Sequence, residues 1–272
     1  MGDSFRTNLG TATADSNGAF SITPSAALSD GSYSLTATAT DSAGNTSDSS
    51  SALEIKINNN KSAYSDSDYT AKSDIEKIFL TGTDHINAHG NSLDNTITGN
   101  SGDNKLYGKD GDDEIYGGEG NDKIYGWKGE DIIYGEDGDD YLKGHYSKDK
   151  LYGGKGADTL LGGTSSDMLY GGEGDDKLYG ESSADKLYGD AGADILYGGT
   201  STDELHGGDG NDKLYGGSSS DLLYGEDGDD YLKGHSSADK LYGGNGNDYL
   251  RGGSSSDELY GGAGDDRLKG ES

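Results

Sequence analysis

The sequence predicts an all-β protein: a right-handed parallel β-solenoid of eighteen residues per coil, preceded by a partial β-sandwich. Three observations predict it. From Gly90 to Lys269 one nine-residue unit is written twenty times without a gap. Each unit has one dependable apolar position. From Gly144 onward the fourth position alternates between Ser and Gly, so the true period is two units. A fixed short period takes precedence over other signals, because a repeat chain has neighbours rather than a centre.

A well-formed unit is Gly117-Gly118-Glu119-Gly120-Asn121-Asp122-Lys123-Ile124-Tyr125. Position eight carries the apolar residue: Ile97, Leu106, Ile115, Ile124 and so on to Leu268. Positions seven to nine alternate polar, apolar and aromatic, which predicts a three-residue strand with one side chain inward. Positions one to six hold glycines and an aspartate, the chemistry of turns with positive φ. Two strands and two turns make one coil, and stacked coils make two parallel sheets around a thin ladder of Leu and Ile. That ladder is too thin to offset the backbone entropy of nine glycine-rich residues per buried side chain.

Position six supplies the missing stabilisation. Coils stack about 4.8 Å apart, so the aspartates form columns of like charge that are repulsive without a cation. Carboxylates plus main-chain carbonyls in flexible turns are hard oxygen ligands, which favour Ca²⁺ over Zn²⁺ or Mg²⁺, and metal binding is then coupled to folding. On the Gly-type edge the candidate ligands are Asp122, Asp140, Asp158, Asp176, Asp194, Asp212, Asp230, Asp248 and Asp266. On the other edge Asp113 and Asp131 have standard turns, and Asp149, Asp167, Asp185, Asp203, Asp221, Asp239 and Asp257 sit in Ser-type turns. Seven serines in a left-handed position would each be strained by about 1 kcal/mol, so a different turn shape is expected there. Calcium is expected on both edges, since the second column also needs neutralising and position seven is not regularly basic.

These units resemble the nonapeptide of the RTX (repeats-in-toxin) family, G-G-x-G-x-D-x-U-x, over 180 of the 272 residues. The resemblance implies a calcium-loaded β-roll, disordered without the ion and folding after export by type I secretion machinery. It also implies that each Ca²⁺ sits between turns eighteen residues apart, held by the position-six Asp and turn carbonyls.

The chain has 51 acidic and 21 basic residues, a net charge of −30, which argues against nucleic acid as a partner. Neutralising thirty charges would take fifteen divalent ions, and two edges of ten turns offer eighteen gaps. There is no cysteine, hence no disulfide framework or thiolate site. Calcium can take the stapling role in a secreted or cell-surface protein. No apolar stretch is long enough for a membrane span. No signal peptide is visible, and the chain stops inside a further repeat, so it reads as a fragment.

In chain order, residues 1–57 are Ser-, Thr- and Ala-rich with alternating strands. Ala19–Thr23, Tyr33–Ala39 and Ala52–Ile57 are the candidates, with turns at Ser29-Asp30-Gly31 and Asp41–Asn45. The run Asp30–Asn45 resembles bacterial Ig-like domains of tandem adhesins, of which the last half is present; it reads as a spacer. Residues 58–74 read as a polar linker. Residues 75–89 read as a capping coil, Ile75–Leu80 being a strand whose Phe79 and Leu80 close the apolar ladder. His85 and His89 lack the Glu of a zinc hydrolase motif. Position six is Asn95 and then Asn104 in the first two units, where weak or absent calcium is expected.

Position nine sets the outer faces. One face carries Tyr116, Tyr134, Tyr152, Tyr170, Tyr188, Tyr224, Tyr242 and Tyr260, broken only by His206. Stacked Tyr favours strands; the functional alternative is an aromatic platform for a glycan or cell-surface partner. Trp127, in a turn, reads as packing. Three classes of function remain: a calcium-binding structural and export module of a large adhesin, a carbohydrate- or surface-binding module, and the accessory tail of a secreted enzyme. No His-Glu-x-x-His and no Gly-x-Ser-x-Gly occurs, so no catalysis is expected from these residues.

Overall fold

The computed structural model describes residues 31–35, 38–40, 43–48, 53–57 and 61–271. They fall into two units, Met1–Asn60 and Lys61–Ser272. In the first, β1 (Gly31–Leu35) pairs antiparallel with β2 (Leu53–Ile57), Gly31 opposite Ile57 and Leu35 opposite Leu53. Thr40 and Thr46 form a bridge with their hydroxyls 2.9 Å apart. The strand expected at Ala19–Thr23 and the rest of the sandwich lie outside the described residues.

The second unit is a solenoid of two twelve-stranded parallel sheets among the described residues. It opens with β3 (Ser62–Ser65), β4 (Tyr69–Thr70), β5 (Lys77–Leu80), β6 (Asn87–His89) and β7 (Thr96–Thr98). Odd-numbered strands form a first sheet and even-numbered strands a second. The polar stretch 58–74 is therefore not a linker from Lys61 onward: it is the first coil. β3 pairs with β5, and Tyr69 and Ala71 pack on the core. Main-chain hydrogen bonds, rather than an apolar run, hold it, which is why composition reads it as linker. Ser62 pairs with Lys77 and Lys77 with Thr96, spacings of fifteen and nineteen residues before the strict eighteen sets in. Ile78 and Leu80 are the buried pair at this end. Phe79, expected inside, faces outward and stacks on exposed Tyr64 at 5.0 Å, because its neighbours on both sides take the inward positions.

From Lys105–Asp110 (β8) to Glu258–Ala263 every strand has six residues, positions seven to three, not the three expected. The pattern in β8 is exposed, buried, half-buried, buried, repeated nearly coil by coil. Position eight from Ile97 to Leu250 is fully buried, and from Leu106 onward each residue pairs with those eighteen before and after, as Ile124 does with Leu106 and Leu142. Position one is the second inward site. A glycine there lets the strand run on, since the adjacent carboxylate occupies the space a side chain would need.

Candidate metal centre

The turns lie along two edges. Positive φ recurs at positions two and four, for example Gly118 (111°) and Gly120 (107°). The Ser-type turns were expected to differ in shape, yet Ser147, Ser165, Ser183, Ser201, Ser219, Ser237 and Ser255 all keep positive φ, at 73–116° against 107–143° for the position-four glycines from Gly111 onward. The difference is one of degree: on the Gly edge a Cβ on Gly210 would come 1.7 Å from the Gly192 carbonyl oxygen, so a serine requires a looser turn. Strain of this kind is removable. Ser201→Gly is expected to raise stability by about 1 kcal/mol, read as a higher melting temperature in calcium.

Position six is the centre of each turn. From Asp113 to Asp248 the aspartates are at most 3 % exposed. One carboxylate oxygen is fully employed: the main-chain N–H of Asp122 donates to Oδ1 of Asp140 at 2.7 Å, and that of Asp140 to Asp158 at 2.7 Å. The same bond links Asp113 to Asp131, Asp131 to Asp149 and so on, giving an unbroken ladder on each edge. The other oxygen, Oδ2, is buried without a donor from Asp113 through Asp248 and again in Asp257. Asp257 and Asp266, in the last coil, are half-buried.

That oxygen faces another acceptor. A Cβ placed on Gly117 would lie 2.4 Å from Oδ2 of Asp122 and 2.5 Å from the carbonyl oxygen of Gly135 in the next coil. The Ser edge repeats this: a Cβ on Gly180 would meet Asp185 Oδ2 at 2.5 Å and Gly198 O at 2.6 Å. Carboxylate and carbonyl oxygens thus converge beside position-one glycines such as Gly117, Gly135, Gly153, Gly171, Gly189, Gly207, Gly225 and Gly243 on one edge and Gly180, Gly198 and Gly234 on the other, an arrangement that fits a hard cation. Among the described residues no three acidic or imidazole side chains converge; the remaining ligands would be main-chain oxygens.

Burial shows in the acidities. Desolvation pushes Asp149 up to about 9 and Asp113 to about 8, while Asp158 and Asp194 rise to about 6. The N–H from the preceding coil works against the shift, and neighbouring carboxylates add to it at Asp149 and Asp176.

The columns begin with amides. Asn104 donates its Nδ2–H to the Ile86 carbonyl at 2.8 Å, and Asn95 to Ile75 at 3.0 Å. Beside Gly90 and Gly99 a neutral amide oxygen, which accepts the Asn91 or Asn100 N–H, stands where later coils have the bare Oδ2. A further ladder went unread in the sequence. On the Gly edge the position-five N–H donates to the position-five side chain one coil back: Asn121 to Asp103, Asp139 to Asn121, Asp229 to Asn211, Asn247 to Asp229. The recurrence of Asp or Asn before the position-six Asp was its signal; Ser-type turns have Lys, Ser, Ala or Thr there.

The model of the RTX calcium-binding nonapeptide repeat matches in overlapping windows from residue 89 to residue 268. The chain belongs to this family. Its RTX repeats are a calcium-binding structural module. A bacterial Ig-like domain model matches residues 4–59, and no curated protein matches the chain.

The position-nine tyrosines, read as strand support with a ligand face as the alternative, form a continuous stack. Tyr116, Tyr134, Tyr152, Tyr170 and Tyr188 stack ring on ring at 4.8–4.9 Å and 5–9°. Tyr224, Tyr242 and Tyr260 continue beyond His206. Within the stack each ring covers its neighbour's face, an arrangement that supports the strands; Tyr260, at its end, is 49 % exposed. Trp127, read as packing, is 41 % exposed and stacks on His145.

Proposed function

We propose that calcium fills the gaps between successive coils on both edges of this RTX solenoid, held by the position-six aspartates from Asp113 to Asp266, and that at neutral pH and above the repeat region folds only when it does. The supporting observation is the orphaned Oδ2 repeated along both Asp ladders. When bound, the ion supplies the positive charge that these paired acceptors lack. Asp Oδ1 holds the coil before it, Oδ2 and the position-one carbonyl hold the ion, and the position-one glycine leaves the room. The Asn95 and Asn104 coils need no ion. Scarce cytosolic calcium keeps the chain extended for type I export, and extracellular calcium, at sites of roughly 10⁻⁴–10⁻³ M affinity, closes it coil by coil. The reading is a secreted or cell-surface structural module of an adhesin, with the Ig-like segment as spacer and no catalysis of its own.

Calcium titration followed by circular dichroism tests this. Asp194→Ala is expected to raise the calcium midpoint several-fold and flatten the transition, while Asn95→Ala leaves both nearly unchanged. Equal effects, or full β signal in excess chelator at neutral pH, would sink the assignment.

A further inference from the structure

The two sheets carry opposite charge. On the outward positions seven, nine and two of the first sheet, from Glu114 onward, stand three basic and six acidic residues. On the same positions of the second sheet, from Lys105 onward, stand ten basic residues and two acidic, Glu181 and, just beyond the last strand, Glu271. Glu181 is paired with Lys143 at 3.5 Å, and Arg251 and Lys269 with Glu271. Lys105, Lys123, Lys177, Lys213 and Lys233 have no carboxylate within ion-pair reach among the described residues. Despite a net charge of −30, this protein presents one cationic face.

Aromatic rings lie among these cations, in stacks shorter than on the first sheet. Lys143 and Leu161 interrupt the position-nine stack after Tyr125, and Lys233 and Arg251 interrupt it after Tyr215. Tyr125 meets Tyr141 tilted by 49°, and Tyr231 meets Tyr249 at 69°. At the Ser-edge rim of the same sheet Trp127, Tyr146, Lys109, Lys128 and Asp110 line a shallow recess of about 440 Å³. The acidic sheet lies about 10 Å away across the core, beyond the roughly 8 Å Debye length at physiological salt. Its acidic side chains point outward into solvent on the far side, away from an anion on the second sheet.

We propose that this second-sheet face binds an anionic, carboxylate-bearing polysaccharide. Lysines on a flat sheet, some two coils or about 9.6 Å apart, suit carboxylates spaced along an extended chain. Tyr and Trp faces between them suit the C–H faces of sugar rings. The site goes beyond calcium binding and requires it only in that the face exists when the coils are stacked.

The test uses the full chain in calcium on immobilised hyaluronan, which has a carboxylate on alternate sugars, with neutral dextran and double-stranded DNA beside it. Circular dichroism in calcium checks folding of every variant, so loss of the fold is separable from loss of the site. The triple variant Lys123→Glu, Lys177→Glu, Lys213→Glu is expected to bind about tenfold more weakly or worse, and Trp127→Ala also more weakly. The matched first-sheet variant Lys150→Glu, Lys186→Glu, Lys240→Glu should change binding less than about twofold. Retention on hyaluronan no greater than on dextran, or equal losses from both triple variants, overturns the proposal. Tighter, lysine-dependent retention on DNA overturns the polysaccharide assignment.

Discussion

In chelator at pH 8 the repeat region is expected to show no β-sheet circular dichroism signal, and lowering the pH to 5 in the same chelator is expected to restore it. In the folded solenoid burial raises the position-six aspartates from 3.8 to between about 6 (Asp158, Asp194, Asp239) and about 9 (Asp149). A carboxyl raised on folding binds its proton more tightly in the folded state. Its contribution is present in full below the unfolded value and fades as pH rises through the folded one. Without calcium, stability therefore falls from about pH 4, where the unfolded carboxyls ionise, up to about pH 9, where the last folded one does. A proton on Oδ2 gives the facing carbonyl a donor and cancels the column's charge, the two things calcium does. In calcium the dependence reverses, because binding displaces those protons. A chelated chain equally unfolded at both pH values would show that the carboxyl columns do not control the fold.

Gly171→Val in mid-solenoid is expected to break the calcium-driven transition in two. A Cβ on Gly171 would lie 2.4 Å from Asp176 Oδ2 and 2.6 Å from the Gly189 carbonyl oxygen, and the Asp176 carboxylate is held in place by the Asp158 N–H on its other oxygen. The side chain fills the space where these oxygens converge and overpacks the core, a change that typically costs 1–3 kcal/mol or more. Because each coil touches only its neighbours, the segments on either side should fold separately. Calcium titration should show two steps and a reduced final β signal. Gly270→Ala, where an added Cβ meets nothing within 4 Å, should leave the curve unchanged. A single transition at the wild-type midpoint for Gly171→Val would remove position one from the site.

Much of the metal centre was legible because its logic is one-dimensional. A residue type recurring every eighteen positions in stacked coils must form a column, and Asp at position six could be read that way before any coordinates. The first coil was not legible, since β3 and β4 are held by main-chain bonds to later strands and carry no repeat. Phe79 was misplaced because four consecutive residues, Lys77 to Leu80, do not reveal which parity faces inward. The position-five ladder was hidden because Asp and Asn in a turn already have a local explanation.

By itself the sequence determined the period, the buried Leu and Ile column, the acidic columns and hence the need for a cation. All of these depend only on what repeats. The tertiary structure alone decided which groups meet across coils: the orphaned Oδ2 against a glycine carbonyl, the tyrosine stack, and the split of charge between two sheets. The reason is that lateral neighbours in a solenoid are eighteen residues apart, while lysines and acids alternate along the chain. Only coiling sorts one from the other.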